Sequence, residues 1–141
     1  MPIPVHYRKD SPNGITPPNP DSDVDLIAHI TKHRGMKTPF TSVSERAQCL
    51  KNFSGDLYST EPDVIVGGGH RFQSHPEVID EIRAAIHELR RGERVLAQRA
   101  FQYAERAREA VVIWQFHLDG VERKDRISWC ATHIQQYFQR V

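Results

Sequence analysis

Residues 38–44 read Thr38-Pro39-Phe40-Thr41-Ser42-Val43-Ser44, and Glu45-Arg46-Ala47 follow. The stretch alternates and is rich in β-prone side chains, which predicts a strand. Ser44-Glu45-Arg46-Ala47 then predicts a helix start, carried by Ala47, Leu50 and Lys51 to about residue 52. A strand that ends in a hydroxyl pair sets two small donor–acceptor groups at a strand-to-helix junction. The positive end of a helix there would favour an anionic or phosphate-bearing ligand. The plainer reading of the same residues is that Ser44 is an N-cap, with Glu45 in the first turn.

Working outward, residues 1–22 hold six prolines, Pro2, Pro4, Pro12, Pro17, Pro18 and Pro20. Each proline fixes φ and removes an amide donor, so an extended segment is expected, with a short strand at 4–8 and a turn at Ser11-Pro12-Asn13-Gly14. Asp23 to Lys32 has helical spacing, capped by Ser22 or Asp23 and stopped at Gly35. Residues 56–60 and 63–66 read as two short strands, and Gly67-Gly68-Gly69 as a mobile break. Ser74-His75-Pro76-Glu77 is a capping box that opens a helix with the stripe Val78, Ile79, Ile82, Ala85, Ile86 and Leu89. Gly92 ends or kinks it, and Val95, Leu96, Ala100, Phe101, Tyr103, Ala104 and Ala107 carry a second helix. Residues 74–108 are therefore a helix pair or helical insertion. The apolar run 110–118 predicts a central strand buried on both faces, with a turn at Asp119-Gly120. Residues 128–139 fit a helix better than a strand.

A chain of 141 residues suits one domain, 1–141, with a core large enough to fold without disulfides or metal. Mean hydropathy is −0.59 and the formal net charge +1. That balance argues against nucleic acid or anionic lipid as the main partner. Cys49 and Cys130 fit neither a zinc spacing nor a disulfide framework, as expected for reduced thiols in an intracellular compartment. The first residues lack the apolar run of a signal peptide, and the run 110–114 is too short to cross a bilayer. His29 and His33 are four apart on one helix, but with no HExxH context no metal site is expected. His70, after three glycines, reads either as part of a loop that closes over a ligand or as plain surface. Trp114 and Trp129 read as core, or as stacking platforms.

Tyr7-Arg8 with Asp10, then His29, then Pro39-Phe40-Thr41-Ser42-Val43-Ser44 resembles the ADP-ribosyltransferase fold of NAD-using toxins and their relatives. In that family an early strand carries Arg or His, a second carries Ser-Thr-Ser, and a third element carries a catalytic Glu. The resemblance implies an α+β domain with a split mixed or antiparallel sheet and flanking helices. It implies NAD as substrate and either mono-ADP-ribosyltransferase or NAD glycohydrolase activity, in a toxin or effector. Tyr7, Arg8, His29, Phe40, Ser42 and Ser44 would bind the dinucleotide. Arg8 would hold the pyrophosphate, Ser42 would orient the acid, and Ser44 would shape the nicotinamide pocket. The acid itself falls on one of two residues. Residues 115–121 match the shape of the third motif, which puts Gln115 at the Glu position; Glu109 keeps the acid but fits the later spacing poorly. The implied partners are NAD, an acceptor that is a protein rather than nucleic acid, and an inhibitor or antitoxin protein. The implied location is the cytoplasm, or a target cell after delivery. The alternative is a protein-interaction module, on this fold or another α+β one, without enzymatic activity.

Overall fold

The computed structural model describes residues 2–32, 37–88 and 91–141. Six strands form one sheet in the order β4-β5-β2-β1-β3-β6, and every pairing is antiparallel. The strands are β1 (His6–Asp10), β2 (Phe40–Ser44), β3 (Asp56–Thr60), β4 (Arg71–Gln73), β5 (Glu109–Ile113) and β6 (Phe138–Arg140). The helices are α1 (Leu26–Lys32), α2 (Pro62–Gly67), α3 (His75–Glu88), α4 (Arg91–Ala107) and α5 (Arg126–Ile134).

The pairing is uneven, and that positions the site. β1 pairs with β3 over five registers, His6↔Thr60 to Asp10↔Asp56. β2 pairs with β5 over five, Phe40↔Ile113 to Ser44↔Glu109. Between β1 and β2 there is one register pair, Tyr7↔Ser44. The sheet is thus two three-stranded halves that meet at Tyr7 and Ser44.

Strand alternation sends neighbouring residues of β5 to opposite faces. Val111 joins Leu26, Ile30, Val78, Ile82, Ala100 and Ala104 under α1, α3 and α4. Val112 joins Val43, Tyr58, Ile65, Trp114 and Ile134 on the other face. The α3 stripe buries Val78, Ile79 and Ile82 as its spacing predicts. α4 buries the small residues Ala97, Ala100 and Ala104, and leaves Val95 and Tyr103 exposed. The capping box forms: the Glu77 amide donates to Ser74 Oγ at 3.4 Å and the Ser74 amide to Glu77 Oε1 at 3.3 Å.

Several expectations are corrected. Residues 63–66 are helical, within α2, because Pro62 starts the turn and the Gly68 amide closes it on Val64 and Ile65. Only Ile65 of that apolar run is buried, so a single contact outweighs its β-propensity. The helix expected after Ser44 is a single 3₁₀ turn, Ala47–Leu50. A four-residue turn offers no appreciable dipole, so the anion-binding argument at Ser44 fails. The strand expected over 110–118 is β5, ending at Ile113. The helix expected over 128–139 ends at Ile134, and Phe138–Arg140 turn back to pair with β3. The stop expected at Gly35 and the partner histidine His33 lie outside the described residues, as does Leu89. α4 starts at Arg91, so Gly92 falls in its first turn and does not end a helix.

Candidate functional site

Arg8 is on β1, on the far side of the junction from Ser42 on β2. Its Nη1 donates to the Ser42 carbonyl at 2.7 Å, and its Nε donates to Asp10 Oδ2 at 2.8 Å. The guanidinium therefore spans the two half-sheets just past their meeting point. Burial works against the Asp10 charge. Arg8 and two bonds from Thr16, at 2.8 and 2.7 Å, outweigh it and hold the carboxyl below its usual range.

Ser42 Oγ donates to Glu109 Oε2 at 2.7 Å. Glu109 opens β5 and is only 8% exposed. Burial pushes its carboxyl up to about 7, against the opposing effects of the Ser42 bond and the Arg8 charge. His29 of α1 lies with Nε2 2.6 Å from Ser42 Oγ and Nδ1 2.5 Å from Thr38 Oγ1. The Phe40 ring flanks it, centroid to centroid at 5.2 Å.

The chain reaches Glu109 through an unusual turn. Arg108 has φ +49°, the left-handed region that non-glycine residues avoid. Its carbonyl accepts from the Glu45 amide at 3.1 Å, and its guanidinium pairs with Glu45 at 3.1 Å. From α3, His75 Nδ1 donates to the Glu109 carbonyl at 2.9 Å, and its Nε2 lies 3.0 Å from Glu105 Oε1. His75 thus holds the main chain of Glu109, and Ser42 holds its carboxyl.

Arg8, His29, Ser42 and Glu109 come together, with Phe40 beside them. Tyr7 and Ser44 mark the junction of the half-sheets, and Ser44 Oγ is spent on the Ala107 carbonyl at 2.5 Å. Gln115 is apart. Its side chain is exposed beyond the far end of β5, and its main-chain N–H donates to His70 Nδ1 at 2.9 Å. His70 is no lid: it is buried against Trp114, Phe116 and Tyr137. Trp114 is core, its Nε1 donating to Thr41 Oγ1 at 2.7 Å. Trp129 stacks on His133 at 3.6 Å. Sequence reading missed the roles of Thr38, His75 and Arg108. Nothing local marks them, since each acts through a partner at least nine residues away or through a backbone angle.

A groove of about 480 Å³ runs past Thr16, Lys37, Thr132 and Gln135. Thr16 also bonds Asp10, but Arg8, Ser42 and Glu109 do not line this groove. Among the described residues, no group of three or more His, Cys, Asp or Glu is arranged to hold a metal, and no helix is long and apolar enough to cross a membrane. No protein-family model, curated protein or solved structure matches the chain.

Proposed function

We propose that the protein cleaves the bond between nicotinamide and ribose in NAD, as a mono-ADP-ribosyltransferase or an NAD glycohydrolase. One observation carries this reading: Arg8, Ser42 and Glu109, from three different strands, converge where the two half-sheets meet. In the proposed reaction nicotinamide leaves with the bonding electron pair and positive charge develops on the ribose. A carboxylate fixed in a buried setting stabilises that charge far better than one in water. Glu109 fits this role, and Ser42 fixes its orientation. Arg8 offers a planar fork of the kind that holds pyrophosphate oxygens. The acceptor would be water or a protein side chain, in keeping with the near-neutral net charge.

A second reading, a binding module without turnover, is favoured by one fact: Glu109 is only 8% exposed and Arg8 is already bonded within the protein. Nicotinamide release at millimolar NAD separates the two. Turnover by the wild type that falls at least 100-fold in Glu109→Gln and Arg8→Ala supports the enzyme. Absence of both turnover and NAD binding in folded wild-type protein overturns it.

A further inference from the structure

We propose that Thr38, His29, Ser42 and Glu109 form one hydrogen-bond relay whose direction follows the charge on Glu109, with His29 as the positioning residue. The four side chains are linked without a gap: Thr38 Oγ1 to His29 Nδ1 at 2.5 Å, His29 Nε2 to Ser42 Oγ at 2.6 Å, and Ser42 Oγ to Glu109 Oε2 at 2.7 Å. Each hydroxyl has a single proton, and a neutral imidazole has one N–H. When Glu109 is ionised it can only accept, so Ser42 must donate to it. His29 must then donate from Nε2 to Ser42, and Thr38 must donate to Nδ1.

When Glu109 takes up one proton, the order can reverse. The carboxyl donates to Ser42, Ser42 donates to Nε2, and the imidazole N–H moves to Nδ1 and donates to Thr38. The Thr38 hydroxyl then has an acceptor waiting, the Phe40 carbonyl at 3.3 Å. One proton enters the group in total and every bond is kept; the relay requires a neutral His29 in both states. His29 is 4% exposed and Thr38 3%, so water does not compete for the bond between them; Ser42 is half-buried.

The other charged groups around Glu109 bear on its charge without joining the relay. Arg8 of β1, itself paired with Asp10, favours the ionised form. His75 of α3 bonds the Glu109 main-chain carbonyl and Glu105 of α4, not the carboxyl. Arg108, next in the chain, is paired with Glu45. Burial opposes them and brings the carboxyl into the neutral range.

The catalytic consequence rests on the NAD reading, because Ser42 would hold the carboxylate for reaction only in the Nε2–H state of His29. The relay itself is read without NAD, by ¹⁵N NMR of the imidazole in the full chain, alongside ¹³C NMR of the Glu109 carboxyl. We expect His29 to be the Nε2–H tautomer above pH 7 and the Nδ1–H tautomer below it, with the same midpoint as Glu109. In Glu109→Gln the tautomer should no longer change with pH. A His29 that keeps one tautomer while Glu109 titrates, or that takes a second proton at that midpoint, overturns the relay. Coupled titration without NAD turnover would defeat the enzymatic reading alone; turnover without coupled titration would defeat the relay alone.

Discussion

Replacing Glu109 by Gln should stabilise the protein, and by an amount that grows with pH. The carboxyl titrates at about 7 in the fold against an ordinary value of 4.5. The folded state therefore holds a proton that the unfolded chain has released, so stability is greatest below 4.5 and is lost as pH rises through 7. At about 1.4 kcal/mol per pH unit, that gap amounts to about 3 kcal/mol at pH 8 and under about 1 kcal/mol at pH 5. Glutamine keeps an acceptor for Ser42 and removes the buried charge. The gain of Glu109→Gln over wild type should thus be about 3 kcal/mol at pH 8, roughly 10 °C in Tm, and small at pH 5. Urea unfolding of both proteins at the two pH values measures it. Taking the difference between proteins cancels His6 and His70, whose burial lowers their values in both. A gain equal at both pH values, or a loss that deepens at pH 8, would refute the reasoning. The second result would mean that pairing with Arg8 outweighs burial. Such stored cost at one carboxyl is the pattern expected of a working group.

Three further outcomes test how the site is framed. Arg108→Gly should leave Tm unchanged or raise stability by up to about 1 kcal/mol, because it relieves a left-handed residue and gives up only a half-exposed ion pair; Arg108→Ala, which keeps the strain, should lower Tm. Gly55→Ala should cost at least about 2 kcal/mol in urea unfolding, since φ is +106° and the new Cβ would meet the Asp10 carbonyl 2.4 Å away. Ser74→Ala should cost about 1 kcal/mol through the lost cap of α3, and Ser74→Asp should restore it.

Much of the fold was legible because local signals and tertiary packing agreed. The strand at 56–60 emerged from its β-prone residues, the α3 stripe from its spacing, and the turn at Ser11–Gly14 from its residue types. Where they disagreed, packing won. Residues 63–66 look β-prone, yet one buried isoleucine and a leading proline made them helical. Residues 138–140 continue a helical pattern, yet the open edge of β3 supplied partners for their backbone.

The sequence by itself nominated candidate side chains: Tyr7, Arg8, His29, Phe40, Ser42, Ser44 and two rival residues for the acid, Glu109 and Gln115. It also determined a single α+β domain with a neutral balance of charge. Only the tertiary structure brings one of the rivals to Ser42. Register pairs Ser44 with Glu109, which places the Glu109 carboxyl against Ser42, and it leaves Gln115 past the strand's far end. Only the structure, too, decided that His29 is held by two protein hydroxyls rather than open to a ligand. The reason is physical. A residue's type is local, but its charge state and partners depend on burial and register, which come from strands up to 67 residues apart in the chain.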